Sequence, residues 1–377
     1  MTTATGLREV LGPATPSEEF LHELAGEILA PATTGPLNVT VTRAEPVPYD
    51  FGSPATGALV RLGGTADGTN WSVFVKVLQN PRHWRFIDRM PPPARAQFIA
   101  EFPWRAELAA WDPALTERLP AGLRVPKLYR LVDLGPDRIA VWMEDIDADS
   151  NPWSASRYAR AAELLGELAG NRSDPALWAG TGRPPSYGLR RYVDGPARDA
   201  IRIVADDATW HHPALAEHAA LQADLLDLAD RVPALLDLAC SAPQALPHGD
   251  ASPQNLLVPR GEPDTFVAID IAFQSPHAIG FDLAQLLVGL AHAGELPATA
   301  LPSIDAVLVP SFEAGTRKSP WPVSAHDIET GYLTALALRS GFTSLPLREL
   351  DTAEPALIAE RCALTRFILD RTRHLGQ

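Results

Sequence analysis

The chain has 377 residues, 46% of them apolar and 21% charged, an ordinary folded composition with room for two or three structural units. Its 32 basic and 46 acidic residues leave a formal charge of -14, which argues against a nucleic-acid surface or an anionic membrane. No apolar run approaches the ~20 residues of a membrane span. The start lacks the order of a signal peptide, and Cys240 and Cys362 match no metal or redox spacing, so a cytoplasmic protein with reduced thiols is expected.

Thr15-Pro16-Ser17-Glu18 has the pattern of a capping box with Pro at the first helical position and predicts a helix through about Leu29. The Pro31–Pro36 stretch, with Gly35 inside it, then breaks that helix. Three β-rich runs follow, Leu37–Val41, Gly57–Leu62 and Trp71–Leu78, and the Pro/Gly/Asp clusters between them suggest an antiparallel meander. Pro91-Pro92-Pro93 marks a turn, and Ala94–Ala110 has helical spacing, interrupted or restarted at Pro103. Val125–Val132 and Arg138–Met143 read as two more strands. Past Glu144-Asp145 helical patterns dominate, clearest over Tyr158–Leu168, Pro213–Leu238, Phe281–Ala293, Ala325–Leu338 and Pro355–Leu375. The expected plan is a helical extension over 1–36, a β-rich part over 37–144 and a helix-rich part over 145–377, with one passage near residue 145.

The densest chemistry lies in His248-Gly249-Asp250-Ala251-Ser252-Pro253-Gln254-Asn255, with Ile269-Asp270-Ile271 soon after. Phosphoryl transfer from ATP needs a carboxylate that accepts or orients the attacking hydroxyl, and an amide plus a second carboxylate that hold Mg²⁺ on the phosphates. Asp250 is the candidate base, and Asn255 with Asp270 the candidate metal pair. Gly249 permits a tight turn, His248 is assigned to packing, and Pro253 stiffens the loop. Asp282, in Gly280-Phe281-Asp282-Leu283-Ala284, is expected to cap a helix and brace this loop rather than react.

Earlier in the chain, Val73-Phe74-Val75-Lys76-Val77-Leu78 sets one Lys within an apolar strand, the candidate holder of the ATP phosphates. Its acidic partner is expected from the following helix, where Glu107, mid-helix among apolar neighbours, is preferred to Glu101, which is placed near a helix start. Main-chain groups from Glu144 to Ile146 would meet the adenine. Phe51–Gly57 is the candidate cover for the phosphates, although it is no G-x-G-x-x-G. Gly315-Thr316-Arg317-Lys318-Ser319 lacks the glycines of a Walker loop, and neither H-E-x-x-H nor G-x-S-x-G occurs. Glu313, Asp327 and Glu329 suit either an amino group on an acceptor or a solvated helix face.

These residues resemble the aminoglycoside phosphotransferase and choline kinase-like family, small-molecule relatives of protein kinases, over Leu37 to about Ala293. The resemblance implies an α+β, bilobal protein kinase-like fold. An antiparallel sheet with one helix forms its N-terminal lobe, and the C-terminal lobe is larger and mainly helical. It further implies ATP or GTP bound in the cleft, Mg²⁺ as cofactor, and a small hydroxylated acceptor, cationic or neutral, enclosed by the helical part. Lys76 then serves the phosphates, Asp250 is the base, and Asn255 with Asp270 hold the metal. Ala251 departs from the larger apolar residue often found there. The His-Gly-Asp order, and an Asp270 not followed by Phe-Gly, separate the chain from protein kinases. The alternative is a kinase relative that binds nucleotide without turnover and acts as a binding or scaffolding protein. Oligomeric state has no signal in the sequence.

Overall fold

A computed structural model describes residues 4–29, 37–48, 52–271 and 275–376; the Pro31–Pro36 breaker and Phe51 lie outside this range. The chain forms two compact units, Met1–Trp111 with Val125–Asp147, and Asp112–Arg124 with Ala148–Gln377. Besides the passage near residue 145, there is thus an earlier excursion of residues 112–124 into the second unit.

In the first unit, helices α1 (Ala4–Leu11) and α2 (Glu18–Leu29) precede strands β1 (Val39–Pro46), β2 (Thr56–Ala66) and β3 (Thr69–Gln79). Ser17, rather than Thr15, caps α2, since its Oγ accepts the Phe20 N–H; the Thr15 hydroxyl instead donates to the Gly12 carbonyl. β2 and β3 outrun their predicted runs at both ends, and β1 starts two residues after Leu37 and extends beyond Val41. The meander itself is present, and Asp67 (φ 49°) with Gly68 (φ 82°) closes the β2–β3 hairpin in the paired left-handed conformations that suit strand twist. Arg138–Glu144 and Leu128–Asp133 complete a five-stranded sheet, antiparallel at every pairing, in the order β1, β2, β3, 138–144, 128–133.

Alternation along β3 gives each sheet face a core. Trp71, Val73, Val75 and Val77 belong to the cluster that also contains Leu7, Leu11, Leu21 and Leu24, so α1 and α2 cover that face. Phe74 and Leu78 share the other cluster with Val141, Met143, Trp104 and Leu108, and Lys76 falls on that side by the period of two. Helix α3 (Pro92–Glu101) begins at prolines, which suit the first turn, and a separate 3₁₀ turn, Ala106–Trp111, follows Pro103. The predicted strand Val125–Val132 begins only at Leu128, and a separate short strand precedes it. Pro126 has no N–H for a ladder; Leu123–Arg124 pairs in parallel with Phe266–Val267, and Leu128–Asp133 joins the five-stranded sheet.

The second unit is built on helices Ala155–Asn171, Ala220–Ser241, Phe281–Ala293, Leu301–Thr316, Ala325–Ala335 and Pro355–Thr372. Ala155–Asn171 and Leu301–Thr316 approach through reciprocal glycines. A Cβ on Gly166 would lie 2.1 Å from the Phe312 carbonyl oxygen, and one on Gly315 1.9 Å from that of Glu163. Gly315 to Ser319 is therefore a helix end in close packing, not a phosphate loop. Phe281–Ala293 is buried along most of its length and bounded by left-handed Gly280 (φ 97°) and Gly294 (φ 76°). The predicted Ala325–Leu338 helix ends at Ala335 and continues as a π-turn over Leu336–Ser340. No helix among the described residues is long and apolar enough to cross a membrane.

Candidate active site

In the second unit the His248–Asn255 loop is fixed by Asp282. The Asp282 carboxylate, 2% exposed, accepts the His248 N–H on Oδ2 and the Gly249 N–H on Oδ1, both at 2.8 Å. It braces the loop, as expected, but does not cap its own helix, whose N-cap position is held by Gly280, which has no side chain. Burial pushes the Asp282 carboxyl up, opposed by His248, by the two amide bonds and by Arg339. Arg172, 1% exposed, is lowered to about 10 by burial and is electrostatically favoured by Asp282.

Gly249 adopts φ 90°, a conformation costly for any side chain, and so turns the chain to present Asp250. His248 Nδ1 accepts the Asp250 N–H at 3.2 Å, a packing and orienting role. Burial lowers the His248 imidazole, against the opposing pull of Asp282, Asp250 and Asp270, so it stays neutral among three carboxylates. Pro253–Asn255 forms a 3₁₀ turn that returns Asn255 onto Asp250: Asn255 Nδ2 donates to the Asp250 carbonyl at 2.9 Å and to Oδ2 at 3.2 Å.

The short hairpin of Leu256–Leu257 and Phe266–Ala268 brings the metal candidates together. Leu256 pairs with Ala268, so Asn255 lies across from Ile269, whose N–H donates to the Asn255 carbonyl at 3.0 Å. Asp270 is the next residue, at φ 56°, a left-handed conformation that Asp tolerates better than most residues and that recurs at functional sites. Because the Asn255 amide nitrogen is spent on Asp250, Oδ1 remains a hard oxygen donor, with no bond to it among the described residues. An amide oxygen beside a carboxylate is a donor set that fits Mg²⁺.

The first unit holds Lys76 and Glu107, 6% and 9% exposed, with Lys76 Nζ 2.7 Å from Glu107 Oε2 and 2.9 Å from Oε1. The pairing joins the two expected residues, although Glu107 stands in the 3₁₀ turn rather than mid-helix, and Glu101 ends α3 rather than starting it. Glu144 is engaged twice by Lys127, its N–H donating to the Lys127 carbonyl at 2.9 Å and its Oε2 accepting the Lys127 N–H at 3.0 Å. Asp145 is clamped by Arg61 at 2.6 Å and Arg43 at 3.6 Å, which fixes the chain just before Ile146. Among the described residues the main chain of Ile146 makes no hydrogen bond to another main-chain group. In the phosphate-cover candidate, the Gln79 N–H donates to the Ala55 carbonyl at 2.8 Å, anchoring the start of β2 to the end of β3.

Two residues at the site were not found in the sequence, Arg172, which acts on Asp282, and Arg339. Arg339 donates from Nη2 to Asp250 Oδ1 and from Nη1 to the Gly249 carbonyl, both at 2.8 Å. A signal existed: Ala335-Leu336-Ala337-Leu338 is an apolar run, and an Arg directly after it is a cation among buried neighbours. The candidate acceptor acids have other partners. Asp327 accepts from the Ser324 hydroxyl, Glu329 pairs with Arg371, and Glu313 with Arg317.

No protein-family model and no curated protein sequence matches the chain. Among solved structures, spectinomycin phosphotransferase in complex with ADP and spectinomycin aligns at 11% identity and TM-score 0.52, covering 95% of this chain and 98% of that one. Its AMP-bound complex aligns at 12% identity and TM-score 0.50, covering 84% and 92%. An amicoumacin kinase gives 13% identity and TM-score 0.48, covering 97% and 96%. At such identities the likeness is one of fold, and the chain has the α+β kinase-like fold found in spectinomycin phosphotransferase.

Proposed function

We propose that the chain is a small-molecule kinase that moves the γ-phosphate of ATP to a hydroxyl group of an acceptor such as an amino sugar or an aminoglycoside-like compound. The observation that carries this reading is the Asp250–Asn255 loop closed onto itself, with the short hairpin setting Asn255 across from the residue before Asp270. Asp250 remains accessible, its side chain 26% exposed, so a hydroxyl can reach it. In the reaction the acceptor oxygen bonds to the γ-phosphorus, the bond to the β,γ-bridging oxygen breaks, and the hydroxyl proton passes to the Asp250 carboxylate. Asn255 and Asp270 would hold Mg²⁺, which when bound offsets charge on the phosphates. Lys76, fixed by Glu107, holds the phosphates, and the main chain at Glu144–Ile146 receives the adenine. Such a site works by positioning and electrostatics, because the loose transition state leaves little covalent chemistry to the protein.

The test is ADP release from Mg-ATP against aminoglycosides, amino sugars, neutral sugars, macrolides and choline-like alcohols, with Asp250→Asn beside the wild type. Turnover with one acceptor class, lost in Asp250→Asn, is the expected result. Binding of Mg-ATP with no turnover of any acceptor would favour the non-catalytic alternative, and failure to bind Mg-ATP would refute both.

A further inference from the structure

We infer that Arg339 is a positioning residue for Asp250, holding the carboxylate in one orientation for the attacking hydroxyl. The inference rests on the kinase reading, in which Asp250 is the group that meets the acceptor. Its geometric basis is a two-point grip: one guanidinium nitrogen holds Asp250 Oδ1 and another the Gly249 carbonyl, each at 2.8 Å. Asn255 reaches the other carboxylate oxygen, Oδ2, at 3.2 Å. With both oxygens engaged by different donors, rotation of the carboxylate about its side-chain bonds breaks at least one contact. The Gly249 bond ties the same guanidinium to the main chain of the loop, so side chain and backbone are set together. The pair is only 16% and 26% exposed, so solvent screens it less than a surface ion pair.

Arg339 is itself prearranged. It lies in the π-turn Leu336–Ser340, where the wider helical turn changes the direction of side chains relative to a continued α-helix. Its guanidinium stands 5.7 Å from the centroid of Phe281, and the His277 ring stacks on Phe281 at 3.8 Å. Phe281 immediately precedes Asp282, the brace of the same loop. Asp282 thus holds the loop by two N–H groups, and Arg339 holds it by a carbonyl and the reactive carboxylate.

The chemical consequence differs from that of a merely structural ion pair. A misplaced carboxylate lowers the rate of the phosphoryl step while leaving Mg-ATP binding intact, because the nucleotide contacts lie on other residues. Displacement by about 1 Å is enough for a loss on the order of 100-fold. Lys has one ammonium in place of the planar fork and cannot keep both contacts in the same geometry.

The measurement is steady-state ADP release from Mg-ATP with whichever acceptor of the panel above is turned over, or with water as acceptor in slow hydrolysis. Wild type, Asp250→Asn, Arg339→Met, Arg339→Ala and Arg339→Lys are compared, each with its melting curve. Arg339→Met is expected to lower kcat about 100-fold with the KM for ATP changed less than about threefold. Arg339→Lys should recover part of that loss, and millimolar methylguanidinium should restore part of Arg339→Ala activity without rescuing Asp250→Asn. If Arg339→Met does not fold, Arg339→Lys carries the test, since a folded Lys variant with wild-type kcat overturns the inference. So does a folded Arg339→Met with wild-type kcat while Asp250→Asn is inactive, in which case the kinase reading stands. Full activity in Asp250→Asn, or a wild type that turns over neither acceptor nor water, overturns the reading and the inference with it.

Discussion

Lys76 and Glu107 offer a perturbation in which stability and function separate. The two charges meet at 2.7 and 2.9 Å, are 6% and 9% exposed, and sit beside an apolar cluster of Phe74, Leu78, Trp104, Leu108, Val141 and Met143. Lys76→Met leaves the Glu107 carboxylate buried without its ammonium, and Glu107→Leu does the reverse; breaking such a pair from either side costs about 3–5 kcal/mol. Replacing both residues removes both charges, and apolar side chains of similar size suit those neighbours. The Lys76→Met/Glu107→Leu double variant should then lie within about 2 kcal/mol of wild type, far short of the sum of the singles. Urea unfolding followed by tryptophan fluorescence reads the stabilities, and titration with Mg-ATP reads binding. If Lys76 holds the phosphates, the double variant regains stability but neither nucleotide affinity nor turnover. Single variants within about 1 kcal/mol of wild type would refute the burial argument, and a double variant that turned over Mg-ATP normally would remove Lys76 from the site.

Asp282→Asn keeps one acceptor for the two loop N–H groups but turns an NH₂ toward the other, so a loss of about 2–4 kcal/mol is expected in urea unfolding; a change under 1 kcal/mol would refute the brace. Gly315→Ala sets a methyl 1.9 Å from the Glu163 carbonyl oxygen and should cost about 1–3 kcal/mol or more, whereas Gly180→Ala, which meets nothing within 4 Å, should be near neutral in the same assay. Burial lowers His277 from 6.5 to about 3 and His292 from 6.5 to about 4, so as pH falls below about 6.5 the unfolded chain takes up protons that the folded chain does not. Stability should fall between pH 6.5 and about 4, by about 2 kcal/mol for His292 at pH 5, and His292→Asn should flatten the melting-temperature profile by about one proton.

The parts of the site legible in the sequence are those whose geometry is local. Asp250 and Asn255 share one turn, and Asp270 follows a strand that pairs one residue beyond Asn255, so spacing along the chain sets their approach. Lys76 was legible only through the downstream loop, since a lone Lys in a strand commonly faces solvent, and Glu107 was the acid with apolar neighbours. Its local structure was misread because Pro103 ends the helical spacing and a 3₁₀ turn takes over. The short strand ahead of Val125–Val132 was hidden for a different reason. Leu123–Arg124 pairs with a strand more than 140 residues away, and no local periodicity reports such a partner.

Arg339 was missed for that same reason, and its case bears on how this site is held. The motif is acidic: Asp250, Asp270 and Asp282 all act on the His248 imidazole, and burial keeps that imidazole from supplying a compensating charge. Three carboxylates near one buried ring repel each other unless cations stand outside the motif. The structure places two, Arg172 acting on Asp282 and Arg339 on Asp250, on segments 110 and 89 residues from those partners. Neither spacing is informative, because long-range pairing leaves no periodic trace. The loop therefore holds its shape through contacts of opposite charge: the Asp282 carboxylate takes its amides, and the Arg339 guanidinium takes its carbonyl and its carboxylate. A motif search sees only the acidic part of that frame, and the rigidity needed for in-line transfer depends equally on the basic part.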